Sequence, residues 1–143
     1  HRSYVAQVAN IEMENNQPVL KKIIASTDCG IVVNPTGANH QVRGGIVDGM
    51  GHAMYGNLTF ENGLPKQKNF DSYRLIRMKE VPEVEVHYLD SGFDPTGLGE
   101  PALPPTGGAI ANAIFAATGR RLRSQPFVEQ KEFSDINLEI KRG

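Results

Sequence analysis

Residues 92–108 hold nine glycines or prolines in 17 positions, among them Gly97-Leu98-Gly99-Glu100-Pro101 and Pro104-Pro105. Proline fixes φ and removes a backbone donor, and glycine weakens helices and strands alike, so this run is neither a helix nor a central strand. It has to be a loop between two structured parts. It feeds into residues 109–118, where Ile110, Ala113, Ile114 and Ala117 recur at helical spacing and Gly119 supplies a stop. Arg120, Arg121 and Arg123 cluster just beyond, where exposed helix carbonyls favour cations.

The part before the loop opens with two extended runs. Residues 4–13 and 19–27 are rich in Val, Ile and Ala, and the polar cluster Glu14-Asn15-Asn16-Gln17-Pro18 separates them. That pattern predicts a β-hairpin with a loop of about five residues. Its alternation is imperfect in both strands, so a sheet covered on both faces is expected. Residues 28–35 read as a loop with a short apolar stretch that ends on Pro35. From Thr36 the period changes: Val42, Ile46, Val47, Met50, Ala53 and Met54 fall on one face of an α-helix. Gly44, Gly45, Gly49 and Gly51 lie inside that helix, each costing about 1 kcal/mol against alanine. Such a cost points to close backbone approach, either to a packing element or to a ligand. Residues 57–60 and 84–89 read as short strands, with 69–78 an irregular or helical link. The predicted fold is α+β, a mixed sheet containing the hairpin, packed by two helices near residues 41–55 and 107–118. Residues 128–143 are more charged and read as an appended tail.

A chain of 143 residues with 39% hydrophobic and 22% charged side chains builds one domain with a core. Lys and Arg total 15 against 16 Asp and Glu, which gives no overall pull toward nucleic acid or an anionic membrane. Cys29 is the single cysteine, so neither an intrachain disulfide nor a thiolate cluster is available. The four histidines lack close ligand spacing. No apolar run approaches the roughly 20 residues of a membrane span. The chain opens directly on a strand-like run with no targeting signal, and it is expected to be a piece of a larger protein.

Three residues invite a chemical reading. Glu100 stands between Gly99 and Pro101, on a stiff loop at the mouth of a helix, where a carboxylate is well placed as a general base; a solvated turn residue is the plainer alternative. Gln41, near the start of the glycine-studded helix, offers an amide donor and acceptor to a ligand, or is simply a surface residue. Cys29 follows Asp28, whose charge disfavours a thiolate, so it reads as an inert buried residue. The Gly45, Gly49, Gly51 spacing is not a dinucleotide fingerprint, and neither a Walker sequence nor a Gly-x-Ser-x-Gly elbow occurs.

Five ordered blocks add a further constraint: Asp28-Cys29-Gly30-Ile31-Val32-Val33-Asn34-Pro35; Gln41-Val42-Arg43-Gly44-Gly45-Ile46-Val47-Asp48-Gly49-Met50-Gly51; Asn69-Phe70-Asp71-Ser72-Tyr73-Arg74; Gly97-Leu98-Gly99-Glu100-Pro101; and Ala111 through Arg120. Their order and spacing resemble the C-terminal end of the molybdenum-binding subunit of the xanthine dehydrogenase/aldehyde oxidase family, of the isoquinoline 1-oxidoreductase β-subunit type. The resemblance runs from about residue 4 to residue 127. It implies that residues 1–127 are the C-terminal portion of a molybdenum-cofactor-binding domain and that 128–143 are a charged tail. It implies Glu100 as the active-site base, and Gln41 and Gly99 as contacts of the cofactor.

The implied cofactor is a pterin whose dithiolene holds molybdenum, with no protein His or Cys ligand. Iron–sulfur clusters on a partner domain or subunit would carry electrons away. The implied partners are the remainder of the molybdenum subunit, an iron–sulfur subunit and a small aldehyde or N-heterocycle. By the same resemblance, a metal-bound hydroxyl attacks an electron-poor carbon, hydride passes to the metal's terminal ligand, and Glu100 takes the proton. The run Thr106-Gly107-Gly108 departs from the family pattern and is expected to loosen the start of the second helix. The competing reading is a non-catalytic ligand-binding or scaffold module, or a cofactor-free fragment inactive on its own.

Overall fold

The computed structural model describes residues 2–15, 17–130 and 139–140. Strand β1 (Tyr4–Glu14) turns at Asn15, a residue type that tolerates its φ of 49°, into the antiparallel strand β2 (Gln17–Asp28). Pairing runs from Tyr4 opposite Asp28 to Glu14 opposite Gln17, so the predicted hairpin is borne out. Its five-residue loop is corrected: Glu14, Gln17 and Pro18 are paired strand residues, leaving two positions between the strands. Asn10 faces Lys22 whereas Ile11 faces Leu20, leaving Lys21 as an extra residue. A one-residue bulge flips side-chain parity, which lets Leu20 and Ile23, three positions apart, both enter the core.

That bulge also explains the imperfect alternation in β2. In β1 the alternation is regular: Val5, Gln7, Ala9 and Ile11 turn inward, while Tyr4 and Val8 stay 71% and 64% exposed. The expectation of a sheet covered on both faces is therefore corrected, because within the described residues only one face of β1 is packed.

Helix α1 (Pro35–Met54) follows, and beyond it β3 (Phe60–Glu61) pairs with β4 (Leu64–Pro65) around Asn62-Gly63, both at positive φ as a tight hairpin turn requires. The strand expected at 57–60 thus shrinks to its last residue and one more. Residues 69–78 form turns and irregular backbone, ending in a single 3₁₀ turn at Met78–Glu80. β5 (Glu83–Tyr88) lies parallel to β2, from Lys22 opposite Glu83 to Thr27 opposite Tyr88. Parallel neighbours need a crossover, and α1 supplies it.

Helix α2 (Leu103–Thr118) comes next, then a 3₁₀ turn at Phe127–Glu129. β6 (Glu139–Ile140) pairs parallel with Val19 and Leu20 of β2. The sheet is mixed, as predicted, and β2 lies at its centre; the remaining residues of the charged tail lie outside the described ones.

Asn34 caps α1 by accepting from the Gly37 N–H at 3.0 Å, and Pro35 is the first helical residue. Val42, Ile46, Met50, Ala53 and Met54 are buried as the period predicts; Val47 is half-buried on the side toward β5. α2 begins at Leu103, earlier than the loop reading allowed. Pro104 and Pro105 sit in the first turn, whose N–H groups have no intrahelical partner to lose. Gly119, at φ 73°, closes α2 by donating to the Phe115 carbonyl at 2.8 Å.

The glycines of α1 divide by surroundings. A Cβ at Gly45 would lie 3.2 Å from Ala102 Cβ, and one at Gly49 would lie 2.5 Å from the Leu103 carbonyl oxygen. They let the start of α2 press onto α1, so the close approach is helix to helix. Gly44 faces open space. Ile110 and Ile114 of α2 close the core with Ile23, Ile46 and Met50, all fully buried, each such side chain contributing about 1.5–3 kcal/mol.

Candidate functional site

Two of the residues singled out from the sequence meet at the glycine/proline loop. Gln41, in the second turn of α1, is exposed, and a Cβ at Gly99 would stand 3.5 Å from its Oε1. The missing side chain at Gly99 therefore leaves one flank of the Gln41 amide open. Glu100 follows directly and is also exposed, and its carbonyl accepts from the Leu103 N–H at 2.8 Å in the turn that starts α2. Beside Gln41 lies a groove of about 190 Å³, lined also by Cys29, Asn34, Ala38, Thr96 and Leu98.

The loop that carries Gly99 and Glu100 is tied down along its length. Gly30, at φ 71°, packs so tightly on residues 93–94 that a Cβ there would lie 2.5 Å from the Phe93 carbonyl oxygen. Next to it the Ile31 N–H donates to the Phe93 carbonyl at 3.0 Å, and the Thr96 N–H donates to the Cys29 carbonyl at 2.9 Å. Ser3 donates to the Gly97 carbonyl at 2.6 Å, and its hydroxyl lies 2.7 Å from that of Thr96. At the far end, Gln7 Nε2 donates to the Ala102 carbonyl at 2.6 Å, and Thr106 donates to Gln7 Oε1 at 2.8 Å. Glu100 is thus held between a clamp at 96–97 and a clamp at 102–106.

Ser3, Gln7 and Thr106 were missed by sequence reasoning. Gln7 did leave one trace, a polar residue at an inward position of β1 between Val5 and Ala9. Thr106 also overturns the expectation of a loosened helix start, because it is fully buried, with its hydroxyl on both Gln7 and the Ala102 carbonyl. Gly107 is buried as well, against Gln125 and Ala53. Cys29 behaves as read: burial first, and the Asp28 charge second, push its thiol above the ordinary value, which leaves little thiolate.

The donor set on this surface suits a polar organic group better than a bare ion. Gln41 offers both a donor and an acceptor, the Gly99 backbone is unshielded, and Glu100 adds a carboxylate. No group of three or more His, Cys, Asp or Glu side chains able to hold a metal ion occurs among the described residues. No described helix is long and apolar enough to cross a membrane.

Comparison with known proteins identifies the scaffold. The family model of the molybdopterin cofactor-binding domain matches residues 2–82, a stretch that includes Gln41 and stops short of Glu100. The chain belongs to this family. A membrane-bound aldehyde dehydrogenase [pyrroloquinoline-quinone] of Gluconacetobacter polyoxogenes is 37% identical over 85% of this chain and 16% of its own length. A nicotinate dehydrogenase subunit from Pseudomonas putida is 31% identical over 90% of the chain and 11% of its own. The isoquinoline 1-oxidoreductase β-subunit of Brevundimonas diminuta is 29% identical over 87% and 16%.

Among solved structures, the aldehyde oxidoreductase from Desulfovibrio desulfuricans shares the fold at a TM-score of 0.72 and 24% identity, over 87% of the chain and 14% of that protein. Quinoline 2-oxidoreductase from Pseudomonas putida 86 does so at 0.69 and 21%, over 83% and 16%. The resemblance read from the five sequence blocks, and the α+β fold read from the residue pattern, are both borne out. The chain spans between 11% and 16% of the length of the sequence relatives named here.

Proposed function

We propose that this chain is the C-terminal portion of a molybdenum hydroxylase subunit, with residues 1–127 in the cofactor-binding domain and 128–143 as a charged tail. The observation that carries the reading is the meeting of the Gln41 amide with the clamped Gly99–Glu100 turn on a scaffold of this family. Gln41 and the Gly99 backbone would hold a molybdenum–pterin cofactor at its polar edge. When bound, such a group supplies the redox chemistry, while the protein orients the reactants and manages protons.

Glu100 is the group that manages the proton. An aldehyde or N-heterocycle gains an oxygen at carbon, and the proton released as that bond forms passes to a Glu100 carboxylate oxygen. A base contributes only when it is held within hydrogen-bond reach of that proton, and the two loop clamps serve that purpose. The reading includes iron–sulfur clusters on a partner domain or subunit as the outlet for electrons, and the remainder of the molybdenum subunit as the source of the substrate pocket. The pyrroloquinoline quinone in one relative's name is a different redox group. Molybdenum analysis of the full-length protein separates the two.

The decisive variant is Glu100→Gln in the full-length protein, assayed on aldehydes and N-heterocycles. The amide keeps the size and hydrogen bonding of the carboxylate but accepts no proton. Molybdenum content should hold while kcat falls by about 10²–10⁴-fold. Near-wild-type kcat with the metal in place would reduce Glu100 to a loop residue. Absence of both metal and turnover in the wild-type full-length protein would favour the scaffold reading.

A further inference from the structure

A cleft of about 620 Å³ lies on the other side of α1 from Gln41, between that helix and β5. Its strand wall is Pro82, Val84 and Val86, and its helix wall is Asn39, Arg43 and Val47, successive members of one i, i+4, i+8 stripe. β5 is the last strand in the order β1-β2-β5 and has no partner on its outer edge among the described residues. The direction of its backbone groups follows from one bond: the Leu89 N–H donates to the Thr27 carbonyl at 2.9 Å. Backbone groups alternate sides along a strand, so Glu85 and His87 also turn toward β2. The N–H and C=O of Val84, Val86 and Tyr88 then turn to the outer edge, which the cleft flanks at Val84 and Val86.

An unpaired edge of this length carrying valines is a template for another strand, and natural proteins cover such edges or blunt them. The carboxylates of Glu83 and Glu85 do not blunt this one, because both are drawn to Lys22 on the sheet's outer face. Arg43 reaches the cleft and has no ion pair among the described residues. We propose that the outer edge of β5 receives an extended strand from the rest of a longer polypeptide, with an apolar side chain against Val47 and Val84 and an acidic one opposite Arg43. This rests on the reading of the chain as one part of a molybdenum subunit, whose relatives are at least five times its length. A second copy adding its β1 to β5 leaves a new free edge each time and never closes. One pairing β5 with β5 about a two-fold brings a second Arg43 and no complementary acid, so its signature is the concentration dependence tested below.

Hydrogen exchange at single-residue resolution across residues 83–89 of the full-length protein tests this without reference to turnover. Amides 85, 87 and 89 report the pairing with β2 and serve as the internal control. Amides 84, 86 and 88 should be protected alongside them, roughly 100-fold or more over an exposed amide. An alternating pattern, with 84, 86 and 88 exchanging freely, overturns the proposal. So does protection that appears only at high protein concentration, which assigns the edge to a second copy. So does protection lost on removing residues 131–143, which assigns it to the chain's own tail. Arg43→Glu should speed exchange at 84, 86 and 88 by about tenfold and leave 85, 87 and 89 unchanged. No change at all sinks the acidic partner. A protein with a protected edge and no molybdenum would refute the catalytic reading and leave this one standing.

Discussion

Alanine at Gly49 sets two magnitudes against each other. A helix-interior Gly→Ala change is worth about 1 kcal/mol in favour of the folded state when the site is open. At Gly49 it is not open: the new Cβ would lie 2.5 Å from the Leu103 carbonyl oxygen, 2.9 Å from Thr106 Cβ and 3.1 Å from Thr106 Oγ1. Ordinary contact begins near 3.4 Å, so the first turn of α2 has to withdraw by close to 1 Å. Overpacking of this kind costs about 1–3 kcal/mol. Displacing Thr106 also strains the single O–H that it shares between Gln7 Oε1 and the Ala102 carbonyl, worth about 1 kcal/mol net. The clash therefore exceeds the propensity gain, and Gly49→Ala should lose about 1–3 kcal/mol.

Gly44→Ala, in the same helix but with nothing within 4 Å of the new Cβ, is the matched control and should gain about 0.5–1 kcal/mol. At roughly 4 °C of Tm per kcal/mol for a chain this size, thermal unfolding should place the two variants on opposite sides of wild type. If Gly49→Ala melts at or above Gly44→Ala, the close contact of the two helices is not what glycine at 49 serves, and the argument fails.

Gln41→Ala in the full-length protein should lower molybdenum content or turnover, since a cofactor polar group loses a partner worth about 1–3 kcal/mol; unchanged metal and rate would remove Gln41 from the site. Asn34→Ala deletes the cap on the Gly37 N–H and should cost about 1 kcal/mol in urea unfolding, whereas no loss would mean the cap is dispensable. Lys22 chiefly, and His87 next, hold the Glu85 carboxyl below its ordinary value of 4.5. A depressed folded value means the contribution is present above pH 4.5 and is lost as pH falls through the folded pKa, so wild type should lose more stability on acidification than Glu85→Gln. Equal acid sensitivity would show that the carboxylate's partners act equally on the unfolded chain. The group is exposed, and the difference should shrink in high salt.

What the sequence made legible follows the reach of each signal. The hairpin and the buried face of α1 rest on period and turn composition, which act within a few residues, and both were found. The helix starts were misjudged for a single reason. Asn34-Pro35 and Pro104-Pro105 look like stops to a rule about helix interiors, yet proline is at home in a first turn, where the N–H it lacks has no partner. The clamps on the candidate base lay beyond any local signal, since Gln7 meets Ala102 and Thr106 across 95 and 99 positions. Only its polar side chain at an inward position of β1 hinted at a partner.

That long-range bond also joins the two halves of the fold to the site. Gly49 lets the first turn of α2 sit against α1, Thr106 in that turn meets Gln7 on β1, and the loop between carries Glu100. The position of Glu100 is therefore set by packing between helices and sheet that its own neighbours in sequence do not make. On the proposed mechanism, Gln7 and Thr106 are positioning residues. Gln7→Leu should lower kcat without moving the acid limb of the pH–rate profile, because the base is displaced and not removed.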